Sequence, residues 1–334
     1  MSDPPARRRF IMQWHITHRC NLRCRHCYQT EYAACPDEKT LFDTLDWFSR
    51  FLEKTDRYGH IYLTGGEPLT HPAFFPLLRE IRRREMRLCV LTNGTLIDNA
   101  AADRLAWYLP EFVQVSLDGD RAAHDAVRGQ GSFDAALAGI DRLVERDVPV
   151  LVSFTAQKGN LGSFPALARV CRAHGVRKLW WDRVVPDSPE AAEQIALTTR
   201  QFRRFCLRAH RMQKRYLRPD GGSMIACERA LQFLGGGDPN ACYTCHAGQD
   251  MVTVLADGSV MPCRRLPFAA GNALETELDQ ILASDERTAS LVNAPIPAAC
   301  AGCPHAERCR GGAKCVTYGV TGQLFAKDVN CFYR

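Results

Sequence analysis

Arg19-Cys20-Asn21-Leu22-Arg23-Cys24-Arg25-His26-Cys27-Tyr28 sets three cysteines at C-x3-C-x2-C spacing. The run 10–17 just before it is apolar, β-branched and aromatic, and reads as a strand. The triplet therefore leaves the end of a strand. Three thiols this close in sequence can hold one metal centre. Four thiolates saturate a 4Fe–4S cubane, one per iron. Three leave one iron open to an outside ligand, just as three-ligand zinc sites are the catalytic ones. A structural zinc site completed by His26 or Cys35 is the competing reading.

Further short strand patterns follow at 61–63, 88–91, 112–117, 148–155 and 179–185. Helical patterns separate them. Leu41, Leu45, Phe48 and Leu52 share one helix face, Leu137, Ile140 and Val144 another, and Leu167, Val170 and Cys171 a third. Strand–helix alternation with near-continuous apolar strands predicts an α/β fold built on a parallel sheet. Six units are too few to close an eight-unit barrel, so a partial (β/α)6 TIM-like barrel or a doubly wound sheet is expected. In either, the active site belongs at the C-terminal ends of the strands.

A helix at 198–217 is expected to end this region, giving a first domain at 1–217. Arg218-Pro219-Asp220-Gly221-Gly222 reads as a break, and a second domain at 218–334 follows. Of the chain's 16 cysteines, nine fall in this last third. Strand patterns at 251–255 and 259–261 flank Asp257-Gly258, a two-residue hairpin signal, and 275–292 reads as one helix. So little apolar material in so short a segment calls for metal as a staple.

The chain of 334 residues is 46% apolar and 24% charged, with a net charge of +6. That is ordinary for a folded protein and excludes wholesale disorder. The short basic runs at 7–9 and 82–84 read as solvated faces, so no nucleic-acid partner is expected. No apolar run reaches the roughly 18–20 residues that span a bilayer, so no membrane association is expected. No apolar segment follows the N-terminal arginines as in a secretory signal. The expected location is the cytoplasm, where clustered cysteines serve metal or redox chemistry rather than disulfides.

With the triplet at the end of the first strand, the chain resembles the radical S-adenosylmethionine (SAM) enzymes. Other motifs stand at the ends of successive strands as in that family. They are Gly65-Gly66-Glu67-Pro68, Thr92-Asn93-Gly94 and Val115-Ser116-Leu117-Asp118-Gly119, followed by His124-Asp125, Arg128-Gly129 and Phe133. Asn160 follows the fifth strand, and His26 departs from the aromatic residue common before the third cysteine. The resemblance covers most of 10–185. It implies that Cys20, Cys24 and Cys27 carry a 4Fe–4S cluster whose open iron binds SAM. Reductive cleavage then gives a 5′-deoxyadenosyl radical that takes a hydrogen from the substrate. It also implies that Gly65, Gly66, Glu67, Pro68, Asn93, Ser116, Asp118 and Arg128 form the SAM site. The glycines would let backbone approach the ligand, Glu67 would help receive its ammonium group, and Arg128 its carboxylate.

The tail resembles the SPASM extension of this superfamily, a small cysteine-rich domain with a β-hairpin and a helix. Cys245, Gly258 and Cys263 fit the first part of its pattern, and Cys300, Cys303 and Cys309 the second. Cys315 follows Cys309 after five residues where the pattern has three, and Cys331 closes the set. The resemblance implies two auxiliary clusters, one on Cys300, Cys303, Cys309 and Cys331, the other on Cys245, Cys263 and Cys315. Cys242 is the fourth ligand of the second, unless an open iron there meets substrate. Three 4Fe–4S clusters are thus expected. Zinc ribbons are the alternative for the C-x2-C pairs. Cys227, Cys35, Cys89, Cys171 and Cys206 read as small buried side chains, with a ligand or active-site role for Cys227 left open. Trp180 and Trp181 read as core.

Relatives with this tail mostly modify peptides, so a maturase acting on a ribosomally made precursor peptide is the first expectation. The product would be a crosslink or an epimerised residue. Formylglycine formation is disfavoured, because Arg264 follows Cys263 where that subgroup has an aspartate. With nineteen residues before Cys20, no winged-helix recognition domain is expected there, so a separate recognition protein or direct docking is. An electron donor such as flavodoxin or ferredoxin is the other implied partner. The second expectation is a haem-pathway enzyme acting on tetrapyrrole propionates, with Arg183, Arg264 and Arg265 pairing its carboxylates. A non-catalytic iron–sulfur or zinc protein comes third.

Overall fold

The computed structural model describes residues 7–236, 243 and 245–333. Among them, ten strands form one sheet. They are β1 (Arg8–His15), β2 (Arg57–Thr64), β3 (Arg87–Thr92), β4 (Phe112–Ser116), β5 (Val150–Ala156), β6 (Lys178–Arg183), β7 (Ile225–Ala226), β8 (Met251–Val254), β9 (Ser259–Met261) and β10 (Gly271–Asn272). Their order is β10-β9-β8-β1-β2-β3-β4-β5-β6-β7. Pairing is parallel from β8 through β1 to β7, and antiparallel only at β8–β9 and β9–β10. β7 and β10 are the two ends, so the sheet does not close. The fold is α/β, an open, TIM-like partial barrel.

Alternation along each strand separates core from cavity. Met12 and Trp14 of β1, Ile61 and Leu63 of β2, Val113 and Val115 of β4 and Val152 and Phe154 of β5 are buried in one apolar cluster. Helix residues Leu41, Leu45, Phe48, Leu77, Leu105, Ile140 and Leu167 join them. At about 1.5–3 kcal/mol per fully buried large apolar side chain, this layer dominates the stability. Gln13, Gln114, Ser116 and Thr155 alternate with those core positions, and they line a cavity.

Three features beyond residue 217 differ from the sequence expectation. The 218–222 break is a tight turn in which Arg218 N–H donates to the Gly222 carbonyl (2.8 Å), after which β7 adds to β6. The hairpin forms, with a longer loop in which Gly258 takes a left-handed φ of 84° and its N–H donates to the Leu255 carbonyl (3.0 Å). Its first strand, β8, pairs in parallel with β1. The cysteine-rich segment therefore extends the barrel's own sheet. The helix expected at 275–292 is two helices, Leu278–Ser284 and Glu286–Val292. Asp285 separates them, because its carboxylate accepts from Thr288 N–H (2.8 Å) as the cap of the second, and a cap residue needs non-helical backbone.

Candidate active site

The cysteine loop hangs between the ends of β1, β2 and β3. Gly66 N–H donates to the Thr17 carbonyl and Glu67 N–H to that of Arg19, both at 2.8 Å. Asn21 joins the loop to the end of β3, accepting from Asn93 Nδ2 (2.9 Å) and donating to Thr95 Oγ1 (2.8 Å). Arg25 N–H donates to the Val127 carbonyl (2.9 Å) at the end of helix Arg121–Arg128. The glycines explain the close fit. A Cβ on Gly66 would stand 2.4 Å from the Arg19 carbonyl oxygen, and one on Gly65 2.6 Å from that of Thr17. The backbone that needs their bare Cα atoms is the chain's own cysteine loop, a use the sequence reading had assigned to a ligand.

Cys20, Cys24 and Cys27 line one cavity together with Gly65, Gly66, Asn93, Ser116 and Arg128. Burial pushes the Cys20 and Cys24 thiols up, a cost that a bound cation would relieve. Arg128 Nη1 reaches Cys24 Sγ at 3.8 Å, and its Nε donates to Asp118 Oδ2 at 2.7 Å. Asp118 is fully buried, and its Oδ1 accepts from Thr155 N–H (2.9 Å). Burial opposes its ionisation, but Arg128, His26 and that N–H outweigh burial and hold the carboxyl below its usual range. His26 Nε2 lies 3.6 Å from Asp118 Oδ2, and its Nδ1 is buried without a hydrogen-bond partner. Asn160 closes the arrangement, donating to the carbonyls of Asp118 (3.2 Å) and Thr155 (2.9 Å).

Glu67 and Pro68 stand behind the cavity wall. Pro68 opens the short turn Pro68–Thr70. The Glu67 carboxylate, wholly buried, accepts from Thr92 Oγ1 (2.7 Å), Asn93 N–H (2.8 Å) and Leu69 N–H (3.3 Å). It braces the end of β3 instead of facing a ligand's ammonium group. Burial raises its pKa to about 7 despite those donors.

The arginines are committed elsewhere. Arg183 is 2% exposed and makes a bidentate pair with Asp328 (2.7 and 2.9 Å), with Asn330 at 3.0 Å. Arg265 lines the cavity but is paired with Asp182 at 2.6 Å. Arg264 lies over the Tyr28 ring and donates to the Tyr28 carbonyl (3.2 Å). Trp181 is core, whereas half-buried Trp180 donates to Gln114 (2.8 Å) beneath the Arg229 guanidinium. The sequence reading missed Gln13, Gln114, Thr155, Tyr32 and His26 as cavity residues. For Gln13, Gln114 and Thr155 the usable signal was polar side chains at alternate positions of otherwise apolar strands, while His26 and Tyr32 lie in the cysteine loop, where no such alternation exists.

In the tail, Cys300, Cys303, Cys309 and Cys331 line a second cavity. Cys245, Cys263 and Cys315 pack together around a small cluster of Ala247, Leu266, Phe268 and Leu291. Cys242 lies outside the described residues. Cys227 packs against the barrel core instead, its thiol pushed up to about 11 by burial. A tetrahedral zinc ion would draw thiolate sulfurs to about 3.8 Å apart. Among the described residues, the only three potential ligand atoms within 4.8 Å of one another belong to His60, Cys89 and Glu111. No three of the described cysteine sulfurs meet that closely.

Residues 14–159 match the model of the radical SAM superfamily, and residues 245–304 match that of an iron–sulfur cluster-binding domain, SPASM. The chain carries a radical SAM domain followed by a SPASM domain. This radical SAM enzyme is 27% identical to the pre-heme d1 synthase of Dinoroseobacter shibae, over 96% of this chain and 86% of that protein. It is 26% identical to the AdoMet-dependent heme synthase of Methanosarcina barkeri, over 97% and 96%. It is 28% identical to the mycofactocin maturase MftC of Mycobacterium ulcerans, over 96% and 87%. The solved structure of native anSMEcpe with bound AdoMet shares its fold at a TM-score of 0.78 and 18% identity, covering 96% of this chain and 93% of that one. The two domains imply SAM and 4Fe–4S clusters as cofactors. No helix among the described residues is long and apolar enough to cross a membrane.

Proposed function

We propose that this radical SAM enzyme acts on a ribosomally made peptide, forming a crosslink or epimerising a residue. The commitment of the arginines carries this choice. Arg183 and Arg265 are closed by Asp328 and Asp182, so two of the three arginines that could clamp propionates are already paired with carboxylates, and the third, Arg264, lies over the Tyr28 ring. The cavity instead offers Gln13, Gln114, Ser116 and Thr155, whose amides and hydroxyls match the donors and acceptors of a peptide backbone.

Cys20, Cys24 and Cys27 would hold one 4Fe–4S cluster, with SAM received by Gly65, Gly66, Asn93, Ser116 and Arg128. Together, cluster and SAM supply a 5′-deoxyadenosyl radical able to take a hydrogen atom from the substrate. Asp118 orients the Arg128 fork and keeps it charged beside Cys24. Glu67 and Asn21 hold Asn93 at the cavity wall. Cys300, Cys303, Cys309 and Cys331 would hold one auxiliary cluster. Cys245, Cys263 and Cys315 would hold the other, with Cys242 as its fourth ligand. Three cubanes correspond to about 12 iron atoms per chain. A flavodoxin or ferredoxin would deliver the electron.

The test incubates reduced, reconstituted enzyme and SAM with source-cell extract and compares masses with and without enzyme. A peptide losing two hydrogens, or taking up deuterium from heavy water, supports the proposal. The full-length similarity to the two haem-pathway synthases favours a second reading, a tetrapyrrole substrate. A tetrapyrrole that loses carbon dioxide, with no peptide changed, would establish that reading and overturn the first.

A further inference from the structure

We propose a zinc site at the end of the barrel opposite the cysteine loop, formed by His60, Cys89 and Glu111. His60 lies early in β2, Cys89 in β3, and Glu111 directly precedes β4. Cys89 is in register with Phe112, the neighbour of Glu111. Cys89 Sγ stands 3.1 Å from His60 Nε2, and Glu111 Oε2 stands 3.2 Å from the same nitrogen. All three ligand atoms lie within 4.8 Å of one another.

Hydrogen bonding alone serves this convergence poorly. If Nε2 carries a proton, one hydrogen must satisfy both sulfur and carboxylate. If it does not, the Cys89 S–H can donate to it, but its lone pair still faces those of the Glu111 carboxylate at hydrogen-bond distance. A cation at the centre accepts from all three. An imidazole nitrogen, a thiolate and a carboxylate form a zinc donor set, and the sulfur disfavours magnesium and calcium.

The surroundings hold two of the ligands in place. Arg87 Nη1 takes the other carboxylate oxygen, Oε1, at 3.1 Å, leaving Oε2 for the site. The Tyr62 ring stands edge-to-face against His60 with centroids 4.7 Å apart. The Arg87 pairing is the kind of outer contact that fixes ligand orientation at metal sites, whereas the imidazole is held by packing, its Nδ1 buried without a hydrogen-bond partner. Arg9 and Arg87 add positive charge near His60, so both the thiolate and the carboxylate are needed to balance a divalent cation. His60 and Cys89 are buried, while the Glu111 side chain is 38% exposed. That exposed side provides an entry path and room for water as a fourth ligand. The ion would staple the starts of three adjacent strands, independently of any radical chemistry at the other end.

The test uses anaerobically purified, iron- and sulfide-reconstituted protein. One equivalent of zinc is added, the protein is desalted, and zinc and iron are counted by mass spectrometry. Zinc X-ray absorption reads the ligand shell. The expected result is one retained zinc per chain, with one sulfur and otherwise nitrogen and oxygen neighbours. That zinc should be lost in Cys89→Ala and in Glu111→Gln, with iron per chain unchanged. Glu111 is at the surface, so its variant decides the matter if Cys89→Ala fails to fold. The proposal is overturned if zinc is not retained, if Glu111→Gln retains it as wild type does, or if its shell is all sulfur, which would place it on the cluster cysteines.

Discussion

Arg128 sits between a fully buried carboxylate and a thiol, and the two contacts ask different things of it. Asp118 takes Nε at 2.7 Å while Nη1 reaches toward Cys24, so the guanidinium is used as a fork. Arg128→Lys keeps the charge and loses the fork. Charge-assisted hydrogen bonds contribute about 1.5–3 kcal/mol. SAM cleavage, followed as 5′-deoxyadenosine released, should therefore fall about tenfold or more in that variant. Glu67 governs a pH effect. Its folded pKa of about 7 lies above the ordinary carboxyl value because burial penalises the charge. The folded state thus prefers the protonated form. Its contribution to stability is complete below the unfolded pKa and is lost as pH rises through 7, with a slope of at most about 1.4 kcal/mol per pH unit. Glu67→Gln cannot ionise. Between pH 5 and 7.5 the wild-type Tm should fall relative to the variant's, and parallel curves would rule this account out.

At the scale of elements, the turn after β2 and the cysteine loop are one unit. Gly66 has no side chain because the Arg19 and His18 carbonyl oxygens lie 2.4 and 2.7 Å from where a Cβ would be. Gly66→Ala must push the cysteine loop away, at about 1–3 kcal/mol for overpacking. The expected readout is a lower Tm and less iron bound after reconstitution. Gly162 offers the control, having open space at its Cβ position and no left-handed φ. Gly162→Ala should change stability by less than about 0.5 kcal/mol. The positions of β1 through β6 were legible from apolar runs, and the buried face of helix Glu38–Lys54 from spacing alone. The division at Asp285 was not, because the 3.6-residue period continues across it and only the cap contact to Thr288 shows the break.

Across the whole molecule, Arg183 and Asp328 join β6 to the C-terminal tail. Both are buried, and Asp328 also accepts from the N–H groups of Ala313 (2.8 Å) and Asn330 (2.9 Å). Arg183→Met would leave a buried carboxylate without its cation, at a cost of about 3–5 kcal/mol, measurable by denaturant titration. The double variant Arg183→Met with Asp328→Leu should not recover the loss, since it orphans two further N–H groups. Full recovery would mean that the pair is dispensable to the tail. The sequence reading sent Arg183 into the cavity because a strand-end arginine looks free until its partner, 145 residues later, is placed beside it.

Local spacing and periodicity were enough to state a thiolate-held metal centre at a strand end and the strand–helix architecture, and the resemblance of those motifs to a known family supplied the radical chemistry. C-x3-C-x2-C after a strand, glycine-rich turns after the next, and apolar alternation all lie within a few residues of one another, where chain geometry alone decides what is adjacent. Tertiary structure decided which groups stay available. It turned Glu67 inward, gave the bare Cα atoms of Gly65 and Gly66 to the cysteine loop and closed Arg183 with Asp328. It also laid β8 against β1 and brought His60, Cys89 and Glu111 to one point. These outcomes depend on atoms far apart in sequence competing for the same space and the same hydrogen bonds, and no local pattern records that competition.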